Sequence, residues 1–244
     1  MMPSALSSTA LALLLALGGA TTVGSRAQTP PEAPGEHKLE GDHHIGGHSN
    51  KGYHRSFDQA ERWAKEFDDP SRDAWQKPDE VLDALHLDRT AQVADLGAGT
   101  GYFSARIGRR IPEGKLFAVD IEPDMLRYLG ERAQREHLTV LMPVLASAGS
   151  PNLPEPVDLV LVVDTYHHID ERVAYFAALR ASLRSGGRLA IVDFKPDSPN
   201  GPPPEHRITA EQVTTELNAA GYSLLATHLF LPRQYFLVFR ANAS

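Results

Sequence analysis

The 244-residue chain contains no cysteine. This excludes disulfides, thiolate zinc sites, iron–sulfur clusters, a cysteine nucleophile and a lipid-anchored cysteine near the N-terminus. It leaves the compartment open, because exported proteins can do without disulfides. Basic side chains are also in deficit: 24 Lys+Arg stand against 31 Asp+Glu, a formal charge of -7. A general nucleic-acid binder needs clustered Lys/Arg on its binding face, so this balance argues against one. Hydrophobic residues make up 42% and charged residues 23% of the chain, the composition of a soluble globular domain.

No charged side chain occurs before Arg26. The Ala/Leu run from Ala10 to Ala16 is too short for a comfortable membrane span, which needs about 20 apolar residues. Small residues flank Arg26 at Ser25 and Ala27, as a signal-peptidase site requires. Residues 1–27 therefore read as a secretory signal peptide, giving a periplasmic or secreted chain. The alternative is anchoring by an uncleaved N-terminal segment. Residues 28–52 are rich in Pro, Gly and His and read as a disordered linker, unable to bury enough apolar surface to offset chain entropy. Five of the 11 histidines lie between His37 and His54, so the expectation is weak metal binding there. No metal site is expected elsewhere.

Residues 53–78 read as a short N-terminal helical cap. Ser56 and Gln59 have the capping-box spacing, followed by a stripe of Ala60, Trp63, Ala64 and Phe67. Its aromatic residues suit either docking onto the main domain or a lid over a pocket. A short helix over Asp79–Leu85 then opens the main domain, 79–244. Strands are predicted over Ala91–Leu96, Lys115–Asp120, Thr139–Ala146, Val157–Val163 and Arg188–Phe194, with helices between them. Asp170 is expected to cap the helix before Gly186-Gly187, and Thr209 with Gln212 to cap the last helix. Ser223–Leu231 and Gln234–Arg240 read as a closing antiparallel hairpin. The fold expected is α/β: a Rossmann-like, doubly wound, mostly parallel seven-stranded sheet. Ligands of such sheets sit outside the carboxyl ends of the strands.

The first of those ends carries Asp95-Leu96-Gly97-Ala98-Gly99-Thr100-Gly101. The dinucleotide fingerprint is G-x-G-x-x-G, and here the third glycine comes one residue early. Asp95 suits a ligand with positive charge rather than a pyrophosphate. Asp120, at the end of the second strand, suits two ribose hydroxyls. Together they ask for an adenosine-type ligand with a cationic tail, and they argue against a nicotinamide-dependent oxidoreductase.

Val93 to Phe103 resembles motif I of class I S-adenosylmethionine-dependent methyltransferases. Val119–Leu126, Val162–Ile169 and Gly186–Asp193 are similar to that family's later motifs, in the same order. The resemblance spans about 79–240 and has the flavour of small-molecule members akin to the ubiquinone/menaquinone methyltransferases. It implies S-adenosylmethionine as cofactor and a small-molecule methyl acceptor. Asp95, Gly97, Ala98 and Gly99 would line the methionine part, with Gly101 at the helix start. Asp120 would hold the ribose, Ile121 and Met125 the adenine, and Asp164 would lie near the methyl-donor centre. An acidic residue is common after the third strand; this chain has Ala146-Ser147-Ala148, leaving Ser147 as the contact.

Methyl transfer needs a base only when the acceptor must lose a proton. His167 and His168 are the candidates, with Tyr166 beside them. The competing assignment is a non-catalytic, exported module that binds a nucleoside or S-adenosylmethionine and captures metal with its His-rich segment. A nucleic-acid methyltransferase is disfavoured, because Asp164-Thr165-Tyr166-His167 stands where an Asn-Pro-Pro-Tyr-type motif would be. The absent cysteine also excludes thiol-dependent arsenic methylation.

Overall fold

The computed structural model describes residues 56–242. The signal peptide, the linker and the His-rich stretch expected from sequence lie outside these residues, as do residues 53–55 of the expected helical cap. Three helices come first: α1 (Ala60–Phe67), α2 (Asp73–Gln76) and α3 (Pro78–Leu85). The alternation follows as β1 (Gln92–Leu96), α4 (Tyr102–Arg110), β2 (Lys115–Asp120), α5 (Pro123–Arg135), β3 (Leu141–Leu145), β4 (Val157–Val163), α6 (Arg172–Leu179) and β5 (Leu183–Phe194). It closes with α7 (Ala210–Ala219), β6 (Tyr222–His228) and β7 (Gln234–Ala241).

The seven strands form one sheet in the order β3-β2-β1-β4-β5-β7-β6. Strands β1 to β5 run parallel, and β7 inserts antiparallel between β5 and β6. The aliphatic run of β4 is central and covered on both faces, as a wholly apolar strand demands. One face packs on α3, α4 and α5 through Leu82, Phe103, Ile107 and Leu129. The other packs on α6 and α7 through Phe176, Leu179, Val213 and Leu217. Each such large side chain, fully buried, contributes about 1.5–3 kcal/mol. The chain order reverses between β1 and β4, so the crevice for a ligand opens above their carboxyl ends.

Local signals were overridden in four places. Gln59 takes a left-handed conformation and makes no capping bond. The start of α1 is satisfied instead by Asp124 of α5, whose Oδ2 accepts from the Ala60 N–H at 2.6 Å. A carboxylate beats a hydroxyl at a helix N-terminus because it also meets the helix dipole. Asp170 does not cap α6; Glu171 precedes that helix at φ 43 without a side-chain cap. Helix α6 ends at Leu179, and β5 starts at Leu183 with a register shift opposite Val157 and Leu159. Thr209 does cap α7 by accepting from Gln212 N–H, but the Gln212 side chain turns forward to Glu216 rather than back.

Candidate functional site

A cavity of about 620 Å3 opens at the carboxyl ends of β1, β2, β4 and β5. The loop after β1 forms its floor. Gly97 and Ala98 N–H groups both donate to the Val119 carbonyl, at 2.8 and 2.9 Å, which folds the loop tightly onto β2. At Gly97, with φ +76, a Cβ would lie 2.2 Å from Thr165 Oγ1, so the loops after β1 and β4 meet there without room for a side chain. At Gly99, with φ +54, the nearest atom to an added Cβ is Phe67 Cδ2 at 3.5 Å. That is ordinary contact without a clash, and Gly99 itself lines the cavity. Gly101 begins α4 and does not line the cavity; its missing side chain makes room for Leu129.

Two buried carboxylates face this space. Asp95 accepts from Ser104 Oγ at 2.6 Å, and burial pushes its carboxyl up to about 6, a rise the Ser104 bond moderates. Asp120 accepts from the N–H groups of Gly99, at 2.8 Å, and Glu122, at 3.0 Å. Burial raises its carboxyl as well, and those backbone donors oppose the rise. Neither carboxylate has a cationic partner among the described residues. Two buried acids beside open glycine backbone fit a ligand that brings its own positive charge and hydroxyl donors. S-Adenosylmethionine has both, on its methionine tail and its ribose.

Ile121, 55% exposed, and Met125, buried, line the space beyond Asp120, where a flat apolar ring would rest. Ala146, Ser147 and Ala148 close that end. The Ser147 N–H donates to the Ser150 carbonyl, so Ser147 is held in a tight turn at the rim.

Asp164 takes φ 53 at the end of β4. Its Oδ2 accepts from Gln76 Nε2 at 2.8 Å and meets Arg72 at 3.5 Å, while Oδ1 accepts from Gln234. Burial pushes this carboxyl up to about 6 against the pull of Arg72. Arg72 also donates to the Phe67 carbonyl and to Gln76. The helical segment before the domain is thus fastened over the cavity by polar bonds as well as by aromatic packing. Phe57, Phe67 and Trp75 line the cavity, whereas Trp63 is buried against Met125. Docking and covering are performed by different aromatic residues of one segment.

His167 is 4% exposed and lines the cavity. Its Nδ1 lies 2.9 and 3.0 Å from the two oxygens of Asp193, and its N–H donates to Asp193 Oδ2 at 3.2 Å. Burial opposes the imidazolium, but Asp193 and Asp164 together hold His167 above the ordinary imidazole range. The bond to Asp193 fixes the tautomer and leaves Nε2 as the ring nitrogen to meet a ligand. His168 also lines the cavity, with its ring 4.2 Å from that of His167 and 5.5 Å from that of Phe57. Tyr166 departs from expectation: it is fully buried on the opposite face, donates to Glu216 at 2.7 Å and does not reach the cavity. Successive residues of a tight turn point in different directions, so sequence adjacency to His167 did not place Tyr166 with it.

Sequence reasoning did not single out Arg72, Gln76, Asp193 or Gln234 as site residues. The available signal was a polar residue closing an apolar strand, as at Val192-Asp193-Phe194, or opening one, as at Gln234. His228, outside the site, is part-buried and stacked 4.5 Å from Phe236. Among the described residues no group of three or more His, Cys, Asp or Glu could hold a metal ion, and no helix is long and apolar enough to cross a membrane.

Comparison with known proteins agrees with this geometry. Residues 93–187 match the family model of a methyltransferase domain. An uncharacterised methyltransferase of Mycobacterium tuberculosis is 34% identical over 116 residues, covering 48% of this chain and 57% of the relative. A malonyl-[acyl-carrier protein] O-methyltransferase of Acetivibrio thermocellus is 28% identical over 135 residues, covering 54% and 47%. The chain thus spans about half the length of these relatives. A solved S-adenosylmethionine-dependent methyltransferase from Aquifex aeolicus superposes with a TM-score of 0.70 at 25% identity, over 76% of this chain and 99% of that one. Residues 93–187 thus match a methyltransferase domain, the fold is shared with a solved S-adenosylmethionine-dependent methyltransferase, and both support S-adenosylmethionine as the cofactor.

Proposed function

We propose that the chain transfers a methyl group from S-adenosylmethionine to a small-molecule acceptor. The observation that carries this reading is the pair Asp95 and Asp120, buried beside glycine backbone in one cavity without a cationic partner among the described residues. When bound, the cofactor supplies an activated methyl on a sulfonium whose sulfur keeps the electron pair. In this proposal Asp95, Gly97, Ala98 and Gly99 hold the methionine end, while Gly101 shapes the helix start. Asp120 takes the ribose hydroxyls, Ile121, Met125 and Ser147 surround the adenine, and Asp164 supports the wall nearest the donor centre. His167 receives the acceptor's proton at Nε2, freeing a lone pair on the attacking atom. His168 stands next to it in the same wall. Asp193 positions His167 and stabilises the imidazolium.

The His167–Asp193 pair favours turnover over simple storage, because a binding module has no use for an oriented base in its cavity. Alignment and exclusion of water supply most of the rate in such a reaction. The malonyl-[acyl-carrier protein] named for one relative does not carry over, since the shared stretch covers 47% of that protein. Calorimetric titration of the full chain with S-adenosylmethionine tests the reading. Saturable micromolar binding is expected, weakened at least about ten-fold in Asp95→Ala and in Asp120→Ala, as loss of a charge-assisted bond of about 1.5–3 kcal/mol implies. Absence of binding heat overturns it.

A further inference from the structure

The acceptor half of the cavity has a composition that the cofactor does not explain. Its walls are aromatic: Phe57, Trp75, Tyr175 and Phe194, with Gly201 set flat against the Phe194 ring. An added Cβ at Gly201 would lie 2.5 Å from that ring, so loop and ring form one close-fitted wall. Trp75 and Phe194 stand with centroids 6.0 Å apart. Such walls select a planar apolar body.

Charge selects further. Beyond Asp95 and Asp120, which the cofactor takes up, Asp164 lies in the cavity wall and Glu66 and Asp69 line its more exposed parts. Against them stands one guanidinium, Arg72, already committed to Phe67, Gln76 and Asp164. His167 is balanced by Asp193. Arg233 stacks over the Trp75 ring at 5.3 Å and donates to Asn200, but it does not line the cavity. Among the described residues, no uncommitted guanidinium or ammonium lines the cavity to pair with a carboxylate or phosphate on the acceptor. A cleft lined by one sign of charge focuses its field and concentrates ligands of the opposite sign.

We infer that the acceptor is a planar arylalkylamine that enters as an ammonium cation. The acidic lining draws the ammonium in and the aromatic walls take the ring. Its N–H bond then breaks: the proton passes to His167, and the electrons stay on nitrogen as the attacking lone pair. This inference rests on the methyltransferase reading above.

The test uses the full chain and three isosteric probes: 1-naphthylmethylamine, 1-naphthalenemethanol and 1-naphthoate. Binding of S-adenosylhomocysteine is measured first; its failure counts against the methyltransferase reading and not against the acceptor class. The saturated protein is then titrated with each probe near pH 7.5. The amine is expected to bind roughly ten-fold more tightly than the alcohol, the naphthoate most weakly, and the amine's advantage to shrink in about 0.5 M salt. Equal affinity for amine and alcohol, or preference for naphthoate, overturns the inference. Trp75→Ala locates the site: amine affinity is expected to fall several-fold, and an unchanged value overturns the placement. Homocysteine-nucleoside binding by that variant reports whether it has folded, with Phe194→Leu as the second variant.

Discussion

Gln76 Nε2 donates to Asp164 Oδ2 across 2.8 Å, joining the helical segment before the domain to the loop after β4. Arg72 meets the same oxygen at 3.5 Å. Asp164, raised to about 6 by burial, therefore reports on how well that segment is seated. In Arg72→Met the carboxyl loses its guanidinium neighbour and rises further. A carboxyl raised in the folded state destabilises as pH climbs through its folded value, since ionisation is then forced on a buried group. Denaturant unfolding is expected to show a loss of about 1–3 kcal/mol at pH 8 and a clearly smaller one near pH 5. Equal losses at both would mean that Arg72 acts only through its other contacts.

Cofactor affinity should depend on pH through Asp95. Its carboxyl sits near 6 in the free protein, and a cationic ligand must draw it into the ionised form. Affinity is then flat above about pH 7 and falls below 6, by at most about ten-fold per unit for one proton. Asp95→Asn should bind weakly and flatten this profile. Calorimetry across pH 5 to 8 decides the point.

Gly97 and Gly99 offer a paired comparison. Both have positive φ, which costs an L-residue about 1–2 kcal/mol. Only at Gly97 does the new methyl also strike Thr165, at 2.2 Å. Gly97→Ala is expected to lose about 2–4 kcal/mol of stability. Gly99→Ala should fold with a smaller loss yet bind cofactor poorly, because it adds a methyl to the cavity lining beside Phe67. Thermal unfolding with and without cofactor separates the two.

The His167–Asp193 pair predicts an acid limb in the pH–rate profile. Turnover should rise with pH through the elevated value of His167, because the base must be neutral to accept a proton. Asp193→Asn is expected to move that limb downward and reduce kcat, while His167→Gln loses about 100- to 10,000-fold. A limb that does not move in Asp193→Asn would leave His167 a packing role alone.

Legibility in the sequence followed the range of the physics. Strands β2 and β4 matched their expected bounds because runs such as Val157–Val163 have no other way to bury an aliphatic surface on both faces. The glycine loop was equally readable, since its conformation is local. Helix starts were not, because the strongest acceptor for an N–H can come from far along the chain, as Asp124 does for Ala60. The pairing of His167 with Asp193 was hidden for the same reason. Two residues 26 positions apart meet only because β4 and β5 lie side by side.

The bond from Ala60 to Asp124 also makes one helix depend on another. Helix α1 lacks its own capping side chain and spans 8 residues, too few to persist alone in water. Its helicity therefore leans on α5 and on packing against the domain. The cover over the cavity is expected to open more readily than the layers beneath it, which faster amide hydrogen exchange over Ala60–Phe67 than over β4 would show.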